Sequence, residues 1–291
     1  MDVVKVCRLS LLAVVEDVDL LKVYVSIDGL PIFNRQFWPI LLNVHNIPEV
    51  PAMTIAVYSG STKPVDIDQF LQPFVDELNF LMENGITFNN KQFSIELRVI
   101  IADSPARAYI KDNFDIIKQI IVADQLHLID LGITKRMILT HIKLIEIHRK
   151  FRSLRDYKNW KGSEFSSFQF YASFVILKDE EQYKHFMLYF CSLTLFSSNV
   201  YKEHWPLANT LIQFYVKRYA NIYGPGFISN NVHNLLHIFK EVEQFGPISS
   251  ISSYPFENHL QHLKRSLRSD WKCFEQTINR LSEKEVYNTL V

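Results

Sequence analysis

KVYVSIDGLPIF, residues 22–33, is the stretch on which the fold turns. Val23, Val25 and Ile27 alternate with Tyr24 and Ser26, the period of a strand with one buried face. The run breaks at Asp28-Gly29, with Pro31 close behind, so a carboxylate stands at the end of the strand. FSIELRVIIADSPARAY, residues 93–109, repeats the device: an apolar strand delivers Asp103 and is followed at once by Ser104-Pro105. Ser is a good N-cap and Pro a favoured first helical residue, so Asp103 is expected at a strand-to-helix junction. Two aspartates at strand ends are one way to build a metal site. Each also has a plainer reading, Asp28 as a turn residue before Gly and Asp103 as a satisfier of free N–H groups at a helix start.

Working outward, residues 36–46 (QFWPILLNVHN) and 53–61 (MTIAVYSGS) read as two further strands. Residues 66–85 read as a helix: Phe70, Phe74, Leu78 and Leu81 recur at helical spacing, and Gly85 is the expected stop. Pro73 is expected to kink this helix or to confine its regular part to the residues after it. The opening order is therefore strand, strand, strand, helix, strand. That is the order of an RNase H-like fold, in which acids from the first and fourth strands meet at neighbouring sheet positions. The first 20 residues read as a short lead-in helix or strand.

Beyond residue 130 the character changes. Residues 135–151, 163–196, 204–224 and 232–246 are long and apolar, with helical spacing and few breakers. The fold class expected is α/β, an RNase H-like core with a large helical insertion before the last helix. The boundaries are 1–125 for the core, 126–250 for the insertion and 251–291 for a C-terminal helix that returns to the core.

That last helix, residues 256–274, holds Leu260, Leu263, Leu267, Trp271 and Phe274 as one apolar stripe. Glu257, Gln261, Lys264 and Arg268 follow a second stripe, so an acid and two cations are expected to stack on one side. Such a face suits metal and phosphate together; an ordinary solvated face has the same pattern.

The 291 residues are 48% hydrophobic and 13% aromatic, ample for a globular core. Lys and Arg number 31, as do Asp and Glu, so a nucleic-acid surface would have to be local. Eight glycines include no Walker or Rossmann fingerprint. Cys7, Cys191 and Cys273 form no CxxC pair, which argues against a zinc site or a disulfide framework and suits a reducing compartment. His233 and His237 have the spacing of a zinc-protease helix, but Asn234 stands where the general-base glutamate is needed. Packing or support of another site is the expected role of these histidines. No apolar run is long enough to span a bilayer, no secretory cleavage pattern comes after the N-terminal run, and a soluble intracellular protein is expected.

The blocks DGLPIF, FWPIL, KPVDIDQFLQPFVDEL, IIADSPARAYIK, HLIDLGITKRMIL, SLRDYKNWKGSEFSSFQFY, NVHNLLHI and FGPISSISSYPFENHLQHLKR, in that order, resemble the transposase-domain proteins of animal mobile elements. That group is similar to the CACTA-like DDE transposases. The resemblance runs from about residue 20 to about residue 270, and ADSPARA and PFENHL are its most specific blocks. It implies a metal site of two aspartates and a glutamate, falling on Asp28, Asp103 and Glu257, with Mg2+ or Mn2+ as cofactor. One ion would activate water or a 3′-hydroxyl and the other would stabilise the leaving oxygen. Lys264 and Arg268 become phosphate contacts, and transposon-end DNA, a nuclear location and a homo-oligomer are implied by the same resemblance.

The chain departs from that family in one segment. Relatives carry a Gly- and Cys-containing stretch with CxxC after the PARA block, whereas here KDNFDIIKQIIVADQ, residues 111–125, runs almost straight to HLIDLG. A core strand is expected to be missing with it, and full transposition to be impaired. Three readings stay open: a DDE-type nuclease or strand-transferase, a domesticated or decayed transposase that binds DNA or protein without cutting, and a pseudogene-like product with no activity.

Overall fold

The computed structural model describes residues 2–5, 18–88, 90–113, 121–122, 124–137, 154–177 and 180–290. It divides into two compact units: Met1–Val122 with Ser253–Val291, and Ala123–Ser252.

The first unit is a mixed sheet with helices on both faces. Its strands are β1 (Asp2–Lys5), β2 (Leu20–Ile27), β3 (Leu30–Ile32), β4 (Arg35–Val44), β5 (Met53–Gly60), β6 (Ile86–Phe88), β7 (Lys91–Ile101) and β8 (Ile121–Val122). The sheet order is β1-β5-β4-β2-β7-β6, with β3 on β4 and β8 on β7. β2, β4 and β5 form an antiparallel meander, while β7 joins β2 in parallel and β8 joins β7 in parallel. The carboxyl ends of β2, β5, β7 and β8 therefore lie along one end of the sheet. In the segment after the PARA block, β8 adds two residues in parallel beside β7.

The alternation in β2 is real, but both its faces are covered: Tyr24 and Ser26 are buried like Val23 and Val25. A strand between two neighbours, under helices on each side, hides both sets of side chains. Toward one face, Val25 and Ile27 pack with Trp38 and Ile40 of β4 and with Phe70 and Phe74 of α1 (Ile67–Asn84). Ala106 and Ile110 of α2 (Ser104–Asn113) join them. Pro73 leaves α1 one continuous helix and does not confine its start. Asp66 caps it by accepting the Gln69 N–H at 2.9 Å. Gly85 ends it at φ +70°, where a Cβ would lie 2.5 Å from the Phe93 carbonyl oxygen.

On the opposite face, Phe37 and Val57 pack with Leu263 of α6 (Tyr254–Ser266) and with Phe274 and Leu281 of α7 (Cys273–Leu290). A buried hydrogen bond, Thr54 Oγ1 to His259 Nε2 at 2.8 Å, ties α6 to β5.

The single helix expected over residues 256–274 is two helices. α6 stops at Ser266, and Leu267 is extended at φ −84°, ψ 132°. The Gln276 amide of α7 accounts for the break: its Oε1 accepts the Arg268 N–H at 3.1 Å and its Nε2 donates to the Trp271 carbonyl at 2.6 Å. Trp271 is 75% exposed and leaves the apolar stripe.

The second unit is helical. Its main pair is α3 (Glu180–Phe196) and α4 (Trp205–Tyr223), followed by α5 (Ile238–Phe245). Tyr215, Tyr219 and Tyr223 descend one face of α4 at four-residue steps into a core with Phe186 and Tyr189. His185 lies in this stack: Nε2 is 2.8 Å from the Tyr215 carbonyl and Nδ1 3.1 Å from the Tyr223 hydroxyl. The expected run 163–196 is broken into Gly162–Ser167, a wide π-type turn Phe168–Ala172, Ser173–Ile176 and α3. Of the helix expected over 135–151, residues 138–151 lie outside the described residues. Among the described residues no helix is long and apolar enough to cross a membrane.

Candidate metal centre

β2 and β7 run in parallel with Ser26 opposite Ile101. Asp28 and Asp103 each stand two residues beyond that pair, at the carboxyl ends of adjacent strands. Neighbouring strands are about 4.8 Å apart, so the two backbones emerge side by side. Ile27, Ile100 and Ala102 pack toward α1 and α2, and Asp28 and Asp103 come one residue after Ile27 and Ala102, past the ends of their strands.

Asp28 is held locally. Its Oδ1 accepts the Gly29 N–H at 2.6 Å. Gly29 rests on Trp38, where an added Cβ would lie 3.2 Å from the indole ring, so a larger residue would need the ring to give by a few tenths of an ångström. The ring is fixed in turn by Tyr109 of α2, edge to face at 5.3 Å.

Asp103 caps α2: its Oδ1 accepts the Ala106 N–H at 2.7 Å, and its carbonyl accepts the Arg107 N–H at 2.8 Å. Asp103, one residue before the expected Ser104, supplies the cap. An Asp side chain in this position gains both a hydrogen bond and the favourable end of the helix dipole.

Glu257 lies in the first turn of α6, with its N–H bonded to the Ser253 carbonyl at 2.9 Å. Phe256, Leu260 and Leu263 are buried on the side of α6 that meets the sheet, which points Glu257 along the margin of that contact. One carboxylate oxygen of Glu257 and one of Asp28 lie within 4.8 Å of each other. Among the described residues, Asp103 does not join the set of side chains near enough to share an ion with them. Two of the three expected ligands therefore converge, and the third stands on the adjacent strand end committed to its helix.

Lys264 is exposed on α6, two turns after Glu257. Arg268 lies past the end of the helix, so the stripe that was to align it with Glu257 and Lys264 is broken. His233 and His237 touch edge to face at 5.3 Å and are exposed. The helix tightens to a 3-10 turn between them, and among the described residues no third ligand completes a metal set there.

The second unit holds a carboxylate–imidazole pair that sequence reading did not single out. Asp124, 1% exposed, accepts the Leu126 N–H at 2.9 Å and lies 2.8 Å from His127 Nδ1. A carboxylate there keeps the proton on Nδ1 and fixes the tautomer of the ring. The D-x-x-H spacing at a helix start was the available signal, hidden because Asp124 also reads as a cap. No protein-family model matches this chain, and no curated protein matches it.

Proposed function

We propose that this chain is a transposase-derived protein bearing a DDE-type, metal-dependent site for cleaving DNA phosphodiesters, impaired for full transposition. The observation that carries the reading is the approach of Asp28 and Glu257, from opposite ends of the sequence, to within 4.8 Å. The meander with a parallel strand beside β2 also supports an RNase H-like core, since it sets Asp28 next to Asp103. Asp28 and Glu257 would hold the ion, with Asp103 beside them. A bound divalent cation would lower the pKa of water and offset charge on the phosphate oxygens. The Gly29 N–H and Trp38 keep Asp28 in place, and the first turn of α6 presents Glu257.

The second reading, a binding module that no longer cuts, is favoured by one observation: Asp103 spends an oxygen on the Ala106 N–H. Nicking of supercoiled plasmid in Mg2+ or Mn2+ separates the two. The catalytic reading expects metal-dependent nicking that falls by about 10²-fold or more in Glu257→Gln, as when one group stabilising transition-state charge is removed. Nicking unchanged in that variant removes the assignment. DNA binding that weakens with salt, with no nicking in either metal, transfers the conclusion to the binding module.

A further inference from the structure

The chain leaves Asp28-Gly29 directly into a hairpin, β3 to β4, whose tip breaks a local rule. Ile32 pairs with Arg35, so the loop is the two residues Phe33 and Asn34. Phe33 occupies the first loop position at φ +50°, where two-residue hairpins favour glycine. A bulky residue in this region is an outlier, and such strain persists where the position has a use. The ring is also 54% exposed, so burial does not offset the cost.

Arg35, next along the tip, is exposed, and its Nη1 reaches Ser59 Oγ at 3.5 Å. Among the described residues it has no carboxylate partner. Strand alternation puts Arg35 on the same face of β4 as Phe37, the face that α6 covers. An exposed aromatic residue and a guanidinium with no carboxylate partner among the described residues thus stand two positions apart at the tip of the hairpin that begins two residues after the candidate metal ligand.

We infer that the Phe33–Arg35 hairpin tip is a wedge for duplex DNA: Phe33 stacks against a base and opens the step beside the scissile phosphate, while Arg35 holds a neighbouring phosphate. Apolar side chains that enter a base step unstack it, and an adjacent cation offsets the approach of the backbone. The inference rests on the DNA-cleaving reading above and names how that site would gain access to a strand.

The test uses the full chain and two substrates, a paired duplex and the same duplex with a short mismatched bubble at the nicking position. Phe33→Gly suits the backbone, so it should fold with an unchanged or higher Tm. It is expected to nick the paired duplex at least about tenfold more slowly than wild type, yet to nick the bubble at the wild-type rate, because the opened strand no longer needs a wedge. Phe33→Trp should restore duplex nicking. Arg35→Met should lower the slope of log affinity against log salt by about 0.9, the value for one phosphate contact. Lys91→Met, the same loss of charge at the far end of β7, where Lys91 pairs with Asp19, should leave it unchanged. Equal duplex nicking by wild type and Phe33→Gly overturns the wedge and leaves the cleavage reading standing. A wild-type chain that nicks neither substrate overturns both.

Discussion

At the scale of single residues, position in the sheet sets the chemistry of each side chain. His45 follows β4 and stacks on Tyr24, with ring centroids 4.6 Å apart. Burial, then the charges of Arg98 and Lys22, hold its pKa below the ordinary 6.5. The unfolded chain therefore binds a proton here more readily than the folded one. This contribution to stability is complete above about pH 6.5 and is lost as pH falls through the lower folded value. His45→Gln should flatten the acid limb of a denaturant-midpoint profile between about pH 7 and 5; an unchanged limb would assign the dependence elsewhere. The acids of the candidate centre were legible for a related reason: Asp28 and Asp103 each come after an apolar strand and precede a breaker. That Asp103 would commit an oxygen to α2 was equally legible, since an Asp before Ser-Pro is a good cap.

At the scale of elements, helix starts and stops obey local chemistry until a partner intervenes. Gly85 ends α1 as its sequence position implied, and the left-handed φ with the Phe93 carbonyl beside it explains why no other residue suits. Gly85→Ala should cost about 1–3 kcal/mol, measured as a shift in denaturant midpoint at constant slope. A loss below about 0.5 kcal/mol would mean that the turn rearranges at little cost. The end of α6 was not legible. Residues 256–274 have unbroken helical spacing, and only Gln276, ten positions past Ser266, shows where the backbone leaves the helix. Its amide satisfies the peptide groups of the link, so Arg268 was assigned to a face that does not exist.

At the scale of the whole molecule, the first unit is assembled from two distant segments. Residues 1–122 supply the sheet, and residues 253–291 supply α6 and α7, which cover Phe37 and Val57. A chain ending at residue 122 would bare that apolar face, and exposed patches of this kind drive association. Fragment 1–122 alone should be aggregated or unprotected in hydrogen exchange, and co-expression with 253–291 should rescue protection in β4 and β5. Protection of β4 and β5 in the lone fragment would show that α6 and α7 are dispensable for the sheet.

Strand periods, helix periods and turn residues are local properties, and they were enough to give the alternating strands, the order of the sheet-forming part and the helical character of residues 163–246. The pairing of β7 with β2, the covering of both faces and the approach of Glu257 to Asp28 depend on contacts between segments far apart in the chain. No local pattern encodes those contacts. The place where α6 stops and the strain at Phe33 belong to the same class, because each is decided by what the backbone meets after it has folded.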